Sequence, residues 1–222
     1  NASGNNHRVG TSGFVRLLPY LEQQPLLDSC TTQYTPSLPD RPFYVTSAVL
    51  ESTRLGTMKC PSDTPLEFMP GTQEAIGSYV FVHGKIGPDD GISGEMKVNN
   101  TGMFSYMVER NRGECFDGTS NTMFVGETYD GCLSNFSNRW FVAARHLDCL
   151  RSTVNPINTP PGQGITTNPY GEPLNGAMGS RHPGGAQFAF GDGHVKFLKD
   201  YIDLNTYRAL STRAGGDIIN LE

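Results

Sequence analysis

The sequence predicts an α+β domain of short strands and short helices joined by long loops. Three observations carry that prediction. Gly (26) and Pro (15) are abundant among the 222 residues, aromatics make up 10% and charged residues only 18%. Turns and half-buried aromatic strands therefore outweigh the Lys- and Glu-rich faces of a helical bundle. Helical spacing is confined to brief stretches, the clearest of them interrupted by proline. The C-terminal quarter alternates apolar and polar residues around an Asp-Gly turn and then gives way to a capped helix.

Taken in order, Phe14, Leu17, Leu18 and Leu21 recur at helical spacing,. Pro19 ends that helix near Leu18, because its ring removes a hydrogen bond and clashes with the preceding turn; a new turn starts on Pro19 and ends near Pro25. Phe43-Tyr44-Val45 reads as a strand, Cys60-Pro61-Ser62-Asp63 as a turn, and Ser78 to Val82 as a strand of β-branched and aromatic residues,. Met103 to Val108, Met123-Phe124-Val125 and Trp140-Phe141-Val142 are further strand candidates. Residues 155–180, rich in Pro and Gly and without periodicity, form a long loop. In Gly185-Ala186-Gln187-Phe188-Ala189-Phe190 and the return segment His194 to Leu198, a two-residue type I′ turn at Asp192-Gly193 pairs Phe190 with Val195 and Phe188 with Phe197 on one apolar face,. Asp203 caps a helix carrying Leu204, Tyr207 and Leu210, with Gly215 beyond its end and a short strand after Gly216. The whole, residues 1–222, reads as one unit, large enough to bury roughly 70% of its unfolded surface.

Composition excludes several classes. The net charge is −5, from 17 basic and 22 acidic residues, and no basic cluster exists to neutralise phosphates, so nucleic acid is not an expected partner. No apolar run is long enough to span a bilayer. The chain opens on Asn1 without an initiator Met, which reads as a processed or truncated piece. Cys30, Cys60, Cys115, Cys132 and Cys149 include no Cys-x-x-Cys pair, against a zinc ribbon or a thioredoxin-type motif. They fit either two disulfides in an oxidising compartment with one thiol over, or five buried thiols. Cys132–Cys149, which flank the Trp140 strand, are the first expected pair, and Cys30 with Cys60 the other candidates.

The chemistry-bearing residues admit bland readings. Asp192 is accounted for by the turn, His194 by the return strand, and His182 by a Pro-Gly-Gly loop that its ring fixes through hydrogen bonds; a binding role for His182 stays open. A zinc site there lacks a third ligand at useful spacing. No Gly-x-Ser-x-Gly elbow makes Ser180 a nucleophile, and nothing adds up to an enzyme active site. Calcium is the one cofactor with candidates: Asp89 and Asp90 in a Gly-flanked loop, and Asp117 with Asn121, although Asp117-Gly118-Thr119-Ser120-Asn121 is equally a capped turn.

Four segments in order carry a resemblance. They are Leu17-Leu18-Pro19-Tyr20-Leu21-Glu22-Gln23, Cys60-Pro61-Ser62-Asp63, Asp117-Gly118-Thr119-Ser120-Asn121-Thr122 with Gly126-Glu127, and Ser180-Arg181-His182-Pro183-Gly184-Gly185 leading to Asp192-Gly193. From about residue 13 onward the chain resembles a large domain-of-unknown-function family of planctomycete-type bacteria. That family bears a prepilin-type N-terminal cleavage and methylation segment and a C-terminal His-x9-Asp-Gly signature, here His182, Asp192 and Gly193. The resemblance implies a pilin-like fold, with an N-terminal helix on an antiparallel sheet and the N-terminal transmembrane helix missing from this chain. It implies an exported, periplasmic or cell-surface, pseudopilin-like subunit, membrane-anchored when full length and related to type II secretion or type IV pilin systems, whose partners are other pilins or pseudopilins. It implies no reaction, and it raises the case for calcium. The alternative is an extracellular solute- or glycan-binding module, using Trp140, Tyr170 and the 155–180 loop as its surface.

Overall fold

A computed structural model describes residues 10–33, 44–63, 66–88, 98–106, 108–128, 138–143, 146, 148–167 and 173–217. Its centre is a five-stranded sheet built from β4 (Tyr79–Gly84), β5 (Met123–Glu127), β7 (Leu150–Ser152), β8 (Gly185–Phe190) and β9 (Val195–Lys199), in the order β7-β4-β5-β8-β9. Two small antiparallel pairs flank it: β1 (Gly10–Thr11) with β6 (Val142–Ala143), and β2 (Thr31–Gln33) with β3 (Tyr44–Thr46). The α+β class holds. The large sheet is mixed, since β4 runs parallel to β7 and antiparallel to β5.

Both faces of the sheet are covered, which is why β4 carries Val80 and Val82 to one side and Phe81 to the other, all buried. On the first side Val80, Val82, Met123, Phe188, Phe190 and Leu198 pack with Tyr207 and Leu210 of the C-terminal helix. That helix, α4 (Leu204–Ala209), is capped by Asp203, whose carboxylate accepts from the Thr206 N–H at 2.8 Å,. On the second side Phe81 stacks on Phe14 with ring centroids 4.2 Å apart, inside a cluster with Val15, Leu18, Leu50 and Trp140. Phe14 belongs to α1 (Gly13–Leu17), which continues as a 3₁₀ turn, Leu18–Leu21, with Pro19 at its start. Pro19 does break the helix; Pro25, however, begins a further helix, α2 (Gln24–Asp28), because a proline in the first turn loses no hydrogen bond,. Ser47 caps α3 (Ala48–Ser52) through the Leu50 N–H.

Three expectations are corrected. The hairpin forms where the Asp-Gly turn places it, but its register differs by one residue. Phe188 pairs with Lys196 and Ala189 with Val195; the Phe190 N–H donates to the His194 carbonyl and the Gly193 N–H to the Phe190 carbonyl. The loop is therefore Gly191-Asp192-Gly193, a turn followed by a bulge in which only Gly193 has positive φ (+97°),. The extra loop residue flips the return strand, so Phe188 and Phe190 are buried while Val195 and Phe197 lie on the opposite face, 62% and 37% exposed,.

Met103 to Tyr106 forms no strand; Ser105 makes only an isolated antiparallel bridge to Val108. The disulfide expectation also fails where it can be read. Cys30, Cys60, Cys115 and Cys149 are all free thiols, and Cys132 lies outside the described residues. Cys149 is enclosed in the core beside Leu150, where burial pushes its thiol up to about 12, so it behaves as a small apolar side chain.

Candidate functional site

Three of the motif segments converge beside α1, on the edge of the second face. The turn Cys60-Pro61-Ser62-Asp63 closes with an Asp63 N–H to Cys60 carbonyl bond of 3.0 Å. It is clamped to the foot of β4 by the Ser78 hydroxyl, which donates to the Asp63 carboxylate at 2.6 Å, and by the Lys59 ammonium on the same oxygen at 3.0 Å. Glu127 ends β5. His182 stands in the loop before β8, where its backbone N–H donates to the Ser180 hydroxyl at 3.0 Å and that hydroxyl donates to the Gly185 carbonyl at 2.7 Å. Backbone and serine thus hold this loop, leaving the imidazole to do something else.

The imidazole points at Cys60 and Glu127. His182 Nε2 lies 3.4 Å from Cys60 Sγ and 3.3 Å from Glu127 Oε1, and the ligand-type atoms of all three residues fall within 4.8 Å of one another. Cys60 and Glu127 are buried and the His182 side chain is 29% exposed. The other carboxylate oxygen of Glu127 accepts the Gln187 N–H of β8 at 2.6 Å, which fixes the carboxylate and leaves Oε1 for the cluster. Burial pushes the Cys60 thiol up; the N–H groups of Ser62 and Asp63 pull it down, and the Glu127 carboxylate pushes it up again,.

Both neighbours meet the same ring nitrogen. One nitrogen cannot take a proton from the cysteine while donating to the glutamate, so this is not the relay of a nucleophile, base and orienting acid. Three ligand-type atoms instead lie within 4.8 Å of one another, close enough to share a metal ion,.

The cluster opens on a groove of about 560 Å³ whose apolar walls include Phe14, Leu17 and Leu21 from the N-terminal segment and Val125, Ala189 and Val195 from the sheet. Leu17 and Val195 are both well exposed there. Val195 reaches this wall because of the one-residue register difference in the hairpin.

The other sequence candidates lie elsewhere. Asp117 is occupied with chain closure: Oδ2 accepts from the Thr212 hydroxyl at 2.8 Å and the Gly215 N–H at 2.6 Å, and Oδ1 from the Gly216 N–H at 2.8 Å. Asn121 turns its amide onto the Asp117 carbonyl. Asp192 Oδ1 accepts from the backbone N–H of His194 and meets its ring Nδ1 at 2.7 Å, on the surface at the hairpin tip and apart from His182. Asp89, Asp90 and Tyr170 lie outside the described residues. Trp140 is fully buried, its indole N–H donating to the Thr53 carbonyl, so it supplies no binding surface.

Sequence reasoning missed Cys60 and Glu127 as partners of His182. No spacing links positions 60, 127 and 182; the available signal was that each motif segment held one ligand-type residue its turn did not consume.

Residues 1–205 match the family model described as "Protein of unknown function (DUF1559)", and the chain belongs to that family. No curated protein and no solved structure matches it.

Proposed function

We infer that the chain is the head domain of an exported, non-enzymatic, pseudopilin-like structural subunit, held at the membrane by a segment ahead of Asn1 and assembled with other pilin-type subunits. The observation that supports this reading is the packing of α1 on the large sheet through Phe14 and Phe81, the helix-on-sheet arrangement the sequence resemblance implies. Among the described residues no helix is long and apolar enough to cross a membrane. The free thiols withdraw the support that disulfides were expected to give to export.

Fractionation of the source cells tests the reading, followed by sequencing of the mature N-terminus. The expected result is protein in the envelope or at the surface, cut after a prepilin-type Gly and methylated on the new first residue. A cytosolic protein with an unprocessed N-terminus overturns it.

The groove favours a second reading, a module that binds an extracellular solute. Its apolar walls suit a ligand with an apolar body better than a glycan. Such a solute raises the melting temperature of the chain, and Leu17→Asp abolishes the rise.

A further inference from the structure

We propose that Cys60, Glu127 and His182 form a binding site for one divalent cation of zinc type, with three protein ligands and a fourth position open to the groove. The donor set is the first reason. One sulfur, one imidazole nitrogen and one carboxylate oxygen suit zinc, with cobalt as a faithful substitute, whereas calcium and magnesium take oxygen donors almost alone.

Distance is the second. A tetrahedral ion with bonds of about 2.3 Å to sulfur and about 2.0–2.2 Å to nitrogen and oxygen holds its ligand atoms about 3.4–3.6 Å apart. The observed separations are 3.4 Å for Cys60 Sγ to His182 Nε2 and 3.3 Å for His182 Nε2 to Glu127 Oε1.

The outer contacts are the third. Metal-binding carboxylates and histidines are held by partners behind them. Here the Gln187 N–H holds the far oxygen of Glu127, and the Ser180 hydroxyl bridges the His182 N–H to the Gly185 carbonyl. The sulfur binds as thiolate and its proton leaves to solvent.

Without a cation, a buried carboxylate and a buried sulfur face each other across an imidazole. A cation between them attracts the Glu127 carboxylate and favours loss of the Cys60 proton. The open position lies where α1 and β9 wall the groove, so the fourth ligand is water or a donor atom of whatever enters there. The site is independent of the assembly reading, and its failure leaves that reading standing.

The test uses the whole 222-residue chain, stripped with a chelator, kept reduced and titrated with Co²⁺ and Zn²⁺. Expected are saturation near one equivalent, visible bands of tetrahedral cobalt and a sulfur-to-cobalt charge-transfer band, all displaced by Zn²⁺. Cys60→Ser erases the charge-transfer band and weakens binding on the order of 100-fold, at least as much as loss of a supporting contact does. Glu127→Gln, which keeps an acceptor for the Gln187 N–H, weakens Co²⁺ binding on the same scale while the buried Trp140 fluorescence reports an unchanged fold. Cys30→Ser leaves the titration unaltered. A folded wild-type chain that takes up neither ion, or one whose uptake survives Cys60→Ser and Glu127→Gln, overturns the proposal.

Discussion

Asp117 and Glu127 are two carboxylates on either side of one short strand-bearing stretch, and their surroundings are opposite. Asp117 receives three donors, the Thr212 hydroxyl and the Gly215 and Gly216 N–H groups, at 2.6 to 2.8 Å. Glu127 receives one backbone donor, the Gln187 N–H, and turns its other oxygen to a cysteine and a histidine. The first carboxylate is a finished clamp that ties the C-terminal segment to the loop before β5. The second is buried beside a thiol and an imidazole, each able to give it a hydrogen or to share a cation with it. The difference separates a motif that builds the fold from one that the fold exhibits.

The largest test of the contrast is metal-linked stability. Zn²⁺ at about 100 times its dissociation constant stabilises the reduced wild-type chain by about 2.7 kcal/mol in urea unfolding; Cys60→Ser shows no such gain, whereas Asp117→Ala still does. If the ion stabilises the Cys60→Ser chain equally, the two carboxylates do not differ in kind.

Next in size is the clamp itself. Asp117→Ala removes the acceptor of three hydrogen bonds at a half-buried site, and costs about 2 kcal/mol after allowing for solvent. Burial alone raises the Asp117 carboxyl, but the Gly215 and Gly216 N–H groups and the Thr212 hydroxyl outweigh it and hold it below the usual range. Its contribution is therefore full above the unfolded value of about 3.9 and is lost as pH falls through the lower folded value. Urea unfolding of Asp117→Asn over that acid range should lose less stability than wild type; identical acid limbs would mean that the carboxylate clamps nothing.

Gly216 sharpens the same point: its φ is +68°, and a Cβ placed there would meet no atom within 4 Å. Gly216→Val costs about 1 kcal/mol in the same assay, entirely through backbone strain. The smallest effect is expected of His182→Ala in metal-free protein, below about 0.5 kcal/mol, since Ser180 and backbone hold the loop. A large loss there makes His182 structural after all.

The contrast was only half legible in the sequence. Turn chemistry located the hairpin at Asp192-Gly193 and the helix cap at Asp203, because those signals are local. It did not tell a two-residue from a three-residue loop: Gly191 and Gly193 permit either, and packing of Phe188 and Phe190 against Tyr207 and Leu210 decides. Likewise Trp140, Phe141 and Val142 were legible as buried, but not the small β1–β6 pair that uses only the last of them. The site was not legible as a site. Cys60, Glu127 and His182 each belong to a recognisable motif segment, yet their convergence depends on β5 lying between β4 and β8, which no periodicity encodes.

That strand order also sets when things happen. The β8–β9 hairpin is local and closes in about 1–10 μs, while β5 waits for strands that arrive from both ends of the chain, and β4 for β7 across a long crossover,. The Cys60–His182 contact spans 122 positions and exists only once β5 has docked against β8 and the Cys60 turn has locked onto Ser78. A cation present during refolding has nothing to hold until the chain has crossed its barrier. It leaves the folding rate alone and slows the return journey, so its whole effect is expressed in how long the folded chain lasts.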